Sequence, residues 1–566
     1  VKKPANLVYA LEDVPPTHVT ALNAVQHVGL IAINLVYPLL VFRLVGAPLP
    51  LVANMLAVGM IVLGAATLLQ VLRLGPIGSG FLCPATFSAA YLSPSLLAAK
   101  AGGLPLVFGM TAFAGLLEAA VARALPRLRA VFPVELSGVV IFMIGLSGGA
   151  AGLRSLLAAD AVPMSPAEWK VAVFTLATMV GLNVWAKGLL RMLCTLIGIA
   201  AGYAAAVYAG LLGASQLADL GGVPWVAVPG LDHLSWSFEF VMALPFAIAC
   251  LAAAMKALGT ITVCQRMVDA DWVRPDMRSA TRGVLADGIS TALAGLLNAV
   301  GTNTSTPSVG LASATGVASR RVGVAIGVLF LALGLLPKLT TLLALMPRSV
   351  MVTALLFSIC FILINGVQVM TSRLLDSRRT LVIGLSLIAG TSIEIFPVIA
   401  SHAGASWRPM IGSSLVFATL VGLALNLLFR IGVRQSVAIA IDRKRIDTGQ
   451  IDDFLRMHGG RWGARHDVVA RATFAASQLV EAAVERGWTS GPLSLQASFD
   501  EFNLDLRLTY QGEAIEFPDR RPTDVEIRET DDGARRLAGF MLRQNADSVR
   551  SETEDGLASV HFHFEH

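Results

Sequence analysis

"GTNTSTPSVGLASATG", residues 301–316, is the stretch on which the reading of this chain turns. It lies among long apolar segments, yet it is rich in Gly, Ser and Thr and carries Pro307. Such a composition does not sustain a continuous helix. A second stretch, "GPIGSGFLCPATFSAAYLSPS" at 75–95, has the same character. Within a bilayer, irregular backbone survives only where it is buried in protein or lines a cavity. Counted along the apolar segments, the two stretches hold third place in the first seven and third place in the second seven. Broken segments at matching places in two halves point to an inverted-repeat transporter.

The composition agrees. Hydrophobic residues make up 55% of the chain and charged residues 14%, against roughly 25% charged in a soluble domain. Mean hydropathy is +0.69. The excess is segregated, with apolar segments following one another from residue 21 to about 433 and a charged, mixed sequence thereafter. A span needs roughly 20 apolar residues. About fourteen are read, near 22–42, 51–72, 77–98, 104–125, 131–151, 169–186, 189–212, 238–262, 281–299, 302–317, 322–344, 349–370, 380–399 and 409–432. The expected fold class is therefore an α-helical polytopic membrane protein of two inverted seven-segment repeats. Residues 1–20 form a short N-terminus, 21–433 the transporter domain and 434–566 a cytoplasmic α/β domain.

Basic residues set the orientation. One set of loops holds Arg123, Arg127 and Arg129, then Arg274, Arg278 and Arg282, then Arg320 and Arg321, then Arg373, Arg378 and Arg379. The opposite set holds only scattered cations such as Arg43, Lys100, Arg154 and Lys338. This asymmetry places both termini in the cytoplasm of a cell (inner) membrane, multi-pass protein. "VKKPANLVYALEDVPPTHVTALN" has no apolar core of a cleavable signal. The five cysteines lie in or beside apolar segments without metal-ligand spacing and read as buried small hydrophobes.

Four strings carry a resemblance. They are "VQHVGL" (25–30), "VFPVELSGVVIFMIGLS" (131–147), "LADGISTALAGLLNAVGTNTSTPSVGLASATGVASR" (285–320) and "DSRRTLVIGLSLIAG" (376–390). In this order they resemble the nucleobase–ascorbate transporter family, the xanthine/uracil permeases, over most of residues 20–430. The resemblance implies fourteen segments in two inverted sevens. It implies a substrate-binding core domain and a gate domain that mediates homodimerisation. It also implies a short strand in segments three and ten, with half-helix ends meeting near the midplane. Partial positive charge at helix N-termini suits an acceptor-rich ligand there. The substrate-binding residues it implies are Ala85, Thr86 and Phe87 in segment three, Ser308, Val309 and Gly310 in segment ten, His27 in the first span and Lys256 in the eighth.

The chain departs from the family at two of these places. The span-ten signature expects Asn where this chain has Ser308, and its lead position is Pro307, which has no side-chain hydrogen bond to give. In span eight the family has a glutamate three residues before a glycine. Aligned on Gly259, that place is Lys256, in "CLAAAMKALGTIT" (250–262). A carboxylate accepts hydrogen bonds from ring N–H groups, whereas an ammonium only donates. The exchange favours an anionic ligand over a neutral uracil. Against this stand two structural readings, an ion pair with Asp287 and snorkelling to an interface.

Other polar residues within spans have two readings each. His27 either touches ligand or is structurally hydrogen-bonded. Asp287, at the start of span nine, and Glu394 are read as coupling residues or members of structural ion pairs. Glu118 is costly in lipid and is expected to face protein. Thr302, Thr304, Ser305 and Thr306 either line the site or satisfy freed backbone groups.

After "RIGVRQSVAIAIDRKRID" the sequence reads as a compact α/β unit over about 446–566. Helical spacing marks 467–487 and 533–549, alternation marks a hairpin at 493–512, and 557–566 reads as a final strand. His561, His563 and His566 lie on that strand, as a solvated face rather than a metal site. The order resembles the histidine-kinase-type ATPase fold at a distance. The magnesium-holding Asn expected near Val484 is missing, so the unit reads as degenerate and regulatory.

The function expected from all this is a secondary-active permease, not an enzyme, carrying nucleobase-like (purine/pyrimidine, xanthine/uracil type) or small anionic solutes by an elevator motion. No "GxxxxGK[ST]" motor motif occurs in the chain. No cofactor is expected beyond a proton or sodium as coupling ion. Expected partners are a small-molecule substrate, the lipid bilayer and a second copy of the chain, with no nucleic acid. Two other readings stay open, a ligand sensor with a regulatory tail and a sulfate-transporter-like anion pathway.

Overall fold

The computed structural model describes residues 7–128, 133–157, 164–213, 220–272, 275–371, 377–396, 398–401, 412–429, 435–441, 448–462, 466–485, 491–500, 503–512, 515–518, 520–522, 533–554 and 556–565, together with Lys3, Pro4, Leu375, Ala464 and Thr489. The chain divides into two compact units, Val1–Leu427 and Leu428–His566. That places the division a few residues before the composition change at 433.

The first unit is almost wholly helical. In chain order its helices are α1 (Thr17–Ala32), α2 (Val36–Leu44), α3 (Leu49–Val71), α4 (Leu92–Leu128), α5 (Val134–Leu157), α6 (Pro166–Trp185) and α7 (Cys194–Tyr208). They continue with α8 (Phe240–Val268), α9 (Met277–Leu296), α10 (Thr306–Thr315), α11 (Arg320–Gly334), α12 (Pro337–Ala344), α13 (Arg348–Met370), α14 (Ser377–Ile395) and α15 (Ser414–Phe429). Two three-residue strands interrupt them, β1 (Ala85–Phe87) before α4 and β2 (Thr302–Thr304) before α10.

Several expected spans take other forms. Residues 77–98 are not one helix: β1 is followed by a 3-10 turn at Ala89–Tyr91 and then by α4. Helix α4 itself breaks at Gly102 and Gly103, the latter at φ +73, a conformation that suits glycine. Segment 322–344 is the bent pair α11 and α12, crossing at 79°. Among the described residues six helices are long and apolar enough to cross a membrane, or seven if that pair counts as one span. The other described helices are too short, too bent or too polar for length and composition to mark them as spans, so the described helices do not by themselves reproduce the fourteen spans read from the apolar segments. Helix α8 ends at Val268, beyond the expected 262, which moves Lys256 from the end of its segment to near the middle.

Small residues decide which helices touch. A Cβ at Gly115 would lie 2.1 Å from the backbone of Ala292, and one at Gly288 would lie 2.5 Å from that of Ala119. Helices α4 and α9 therefore pack backbone to backbone. Gly138 against Met370 and Gly366 against Phe142 do the same for α5 and α13. With no hydrophobic effect between helices in lipid, such close packing is what holds them together. The contacts fall into two groups. Helices α1–α4 and α8–α12 form one, and α5–α7 with α13–α15 form the other. They meet where Ala90, Ala252 and Met255 pack on Leu136, Val140, Met143 and Leu415.

The second unit is an antiparallel five-stranded sheet in the order β3 (Gln435–Ile441), β4 (Leu493–Phe499), β5 (Asn503–Gln511), β7 (Leu557–Glu565), β6 (Ser548–Glu554). Helices α16 (Thr448–Trp462), α17 (His466–Glu485) and α18 (Gly533–Asn545) contribute to its core. Ala472, Ala476, Leu479 and Val480 of α17 share that core with Leu504, Leu506, Val560 and Phe562 of the sheet. The expected helix over 533–549 stops at Asn545, because "SVRSETE" pairs with β7 instead. Helix α16 and strand β3 were not expected. Gly459 and Gly460 blur the periodicity of α16, and β3 exists through its pairing with β4. His566 lies outside the described residues.

Candidate functional site

The two broken segments meet. Strands β1 and β2 pair antiparallel, with Ala85 opposite Thr304, Thr86 opposite Asn303 and Phe87 opposite Thr302. The ladder runs one bond further at each end, Ser88 N–H to Gly301 C=O at 3.0 Å and Ser305 N–H to Pro84 C=O at 2.9 Å. A strand pair this short is not stable by itself. Polar side chains tie it to four surrounding elements. Asn34, in the turn after α1, donates to Thr86 Oγ1 at 2.6 Å. Ala85 N–H donates to Thr67 Oγ1 of α3 at 3.1 Å. Asn303 Nδ2 donates to Ala253 C=O of α8 at 2.8 Å, and Thr291 Oγ1 of α9 donates to Thr302 C=O at 3.0 Å. In a buried setting each backbone polar group needs such a partner. Apolar contacts lock the ends: Phe87 fills the space a Cβ would take at Gly59, and Tyr91 does so at Gly301.

Helix α10 begins directly after β2, with Pro307 in its first turn. First-turn N–H groups have no acceptor within their own helix and form the positive end of its dipole. The helix is tied to α8 by Thr306 Oγ1 and Thr260 Oγ1 at 2.8 Å. Open space lies beside both helices. A Cβ at Gly259 or at Gly310 would meet nothing within 4 Å, and Pro307 is exposed.

Lys256 stands one turn before Gly259, half-buried on α8. Among the described residues it has no carboxylate within 4.0 Å. It interacts electrostatically with Asp287 of α9 from beyond the 4.0 Å of an ion pair. Asp287 is 4% exposed and turns toward Glu118 of α4, the two carboxyl groups standing in hydrogen-bond reach. Tyr91 Oη donates to Glu118 Oε2 at 3.2 Å.

The remaining expected residues divide. Ala85, Thr86, Phe87 and Val309 are buried around the strand pair. Ser308 is also buried, with its hydroxyl 2.8 Å from that of Ser305, so it presents backbone rather than side chain. His27 is wholly buried on α1, and neither ring nitrogen has a protein partner among the described residues. Glu394 is not brought to this place. It lies in the other helix group, paired with Arg154 at 3.1 Å and accepting from Ser414 Oγ at 2.6 Å. Sequence reasoning passed over Asn34, Thr67 and Asn303. Only Asn303 carried a signal, as an amide inside the broken stretch.

Paired half-segments, helix ends and a lone cation beside open space define a membrane transporter of small solutes. Comparison with known sequences gives its family. The model of a permease family, the xanthine/uracil permeases, matches residues 19–399, and the chain belongs to that family. Xanthine permease XanP of Escherichia coli (strain K12) is 28% identical over 441 residues, 75% of this chain and 95% of XanP. Xanthine permease XanQ of the same strain is 28% identical over 453 residues, 76% of this chain and 95% of XanQ. Uric acid permease PucJ of Bacillus subtilis (strain 168) is 28% identical over 421 residues, 72% of this chain and 91% of PucJ. Among solved structures, the transmembrane domain of the cyanobacterium bicarbonate transporter BicA is similar at TM-score 0.46 and 14% identity, over 74% of this chain and 99% of that one. Murine Slc26a9 in its inward-facing state is similar at 0.48 and 12%, over 76% and 71%. The family match ends at residue 399, and these comparisons do not support the histidine-kinase-type resemblance of the C-terminal unit.

Proposed function

We propose that the chain is a secondary-active permease for oxopurines in their anionic form, of the xanthine and urate type, with Lys256 as the counter-charge. The observation that carries this reading is the lysine itself. It sits mid-helix beside the paired strands and open space, with no ion-pair partner among the described residues. Helix ends at β1 and β2 add acceptor-directed N–H groups. The site residues are then Lys256, the backbone of Ala85–Phe87 and Ser308–Gly310, and His27. The helix group of α1–α4 and α8–α12 is the moving core, and the group of α5–α7 and α13–α15 is the gate and dimer face, in an elevator motion. The repeat is of two inverted sevens in the inner membrane with both termini cytoplasmic. The C-terminal unit is regulatory.

Uptake into proteoliposomes tests the reading. Radiolabelled urate and xanthine are expected to accumulate, and uracil to be carried poorly. Uracil uptake at equal rate, with urate excluded, overturns it.

A further inference from the structure

Glu118 and Asp287 face each other in the middle of the α4–α9 contact. Glu118 is 0% exposed and Asp287 4%. Glycines draw the helices together there: Gly115 and Gly288, three residues before Glu118 and one after Asp287, each allow the opposing backbone to approach. Glu118 Oε1 and Asp287 Oδ2 are both buried and meet no N–H or hydroxyl donor among the described residues. The two carboxyl groups are nevertheless in hydrogen-bond reach of one another. An ionised carboxylate only accepts. Two carboxylates at this range repel, so the contact requires one O–H donating to the other group's oxygen.

The surroundings define the charge. Tyr91 holds the outer oxygen of Glu118. Helix α8 contributes Cys250 toward Glu118 and Lys256 toward Asp287, and Cys83 approaches Asp287 from the segment before β1. Helix α3, also packed on α9, has no ionisable residue over Leu49–Val71. Helix α2, packed on α4, carries Tyr37 and Arg43, and Arg43 is engaged by the carbonyl of Ala344. On α5, which also touches α4, Glu135 is paired with Arg379 and Arg154 with Glu394, both partners lying on α14. Among the described residues, Lys256 is the cation that acts on Asp287.

We propose that Glu118 and Asp287 form a proton-holding pair that couples solute uptake to the proton gradient through Lys256. The proposal rests on the anionic-solute reading above and adds the site of the coupling ion. With one shared proton the pair carries one negative charge and balances the ammonium of Lys256. When an anion takes its place against Lys256, that balance would leave a net negative charge in a buried setting. A second proton from the entry side then binds the pair, giving two neutral carboxylic acids. One anion and one proton travel together, and the loaded and empty sites are both neutral. Buried uncompensated charge is the cost that enforces the pairing.

The test uses the purified full chain in lipid. First, infrared spectra of the substrate-free protein are taken across neutral pH in water and in deuterium oxide. A deuterium-sensitive carboxylic acid band is expected, lost in Glu118→Gln and in Asp287→Asn. A wild type without any such band overturns the proposal whether or not urate is a substrate. Second, proteoliposomes are loaded with a pH-sensitive dye and given urate, with xanthine as a second probe. Wild type is expected to acidify the dye-containing lumen as it takes up the probe. Glu118→Gln, whose amide mimics the permanently protonated acid, is expected to lose at least tenfold in gradient-driven uptake relative to its own equilibrium exchange. Asp287→Asn serves the same purpose should the first variant not fold. Uptake by either variant that follows the pH gradient as wild type does overturns the proposal. Failure of wild type to carry either probe, with the acid band present, counts against the solute reading and leaves the proton pair standing.

Discussion

Thr86 and Asn303 face each other across two three-residue strands that come from opposite halves of the chain. Each is also held from outside the pair, Thr86 by Asn34 and Asn303 through Ala253 of α8. The register therefore joins the two broken segments to the helix that bears Lys256. A shift of one residue would turn each side chain to the other face and would unseat both amides.

Packing at Gly301 is the first test of that junction. A Cβ there would lie 2.2 Å from the ring of Tyr91. Overpacking of this kind costs typically about 1–3 kcal/mol. Gly301→Ala is expected to lower the melting temperature in detergent. Gly310→Ala, whose added Cβ meets nothing within 4 Å, is expected to leave it unchanged or slightly raised. Equal melting of the two variants would refute the packing argument.

Lys256→Met keeps most of the side-chain bulk and removes the charge. Affinity for urate is expected to fall at least tenfold, about 1.4 kcal/mol, with the protein still monodisperse. Lys256→Glu restores an acceptor and is expected to move preference from urate toward neutral xanthine. Equilibrium binding to the purified protein measures both, and unchanged urate affinity in Lys256→Met would remove the lysine from the site.

Glu394 gives the opposite expectation. Its partner Arg154 is 43% exposed at the side chain, and pairs so open to solvent contribute at most about 1 kcal/mol. Glu394→Gln is expected to shift the melting temperature by a few degrees or less and to leave urate affinity within twofold. A large loss of gradient-driven uptake would return Glu394 to the coupling machinery.

The second unit has its own core, from Ile451 and Leu455 through Leu479 to Phe562 and Phe564. Expressed as residues 428–566, it is expected to unfold cooperatively without detergent. It is also expected to show no micromolar ATP binding, since no Asn stands near Val484 in "LVEAAVERG". Calorimetry of the fragment, with and without ATP and magnesium, checks both.

His561 makes that fragment sensitive to pH. Burial, and then Arg507 opposite it in the sheet, hold its imidazole below the ordinary histidine range. The folded state thus favours the neutral ring, and the unfolded chain binds the proton more readily. The contribution is fully present above about pH 6.5, the ordinary value, and is lost as pH falls through that value toward the folded one. His561→Gln is expected to flatten the decline in melting temperature between neutral and mildly acid pH. An identical decline in both proteins would show that His561 has no part in it.

The sequence by itself determined what local composition can express. Segregated apolar runs marked a membrane-embedded unit and a separate tail. Gly, Ser, Thr and Pro at 75–95 and 301–316 marked the two places where helices fail, because a helix reports its own propensity residue by residue. Family strings placed Lys256 at the eighth segment, and its charge among alanines was visible at once.

Tertiary structure decided the rest, and for one physical reason: these features exist only through partners far away in the chain. Strands of three residues have no periodicity to read and form by pairing with one another. Whether Lys256 meets Asp287 as an ion pair depends on the rotation of α8 against α9, which no spacing rule specifies. Ser308 was turned inward onto Ser305, and Glu394 was claimed by Arg154 in the other helix group. The pairing of Glu118 with Asp287 required the close approach that Gly115 and Gly288 permit, a contact between two helices whose sequences, taken separately, show only an acid in each.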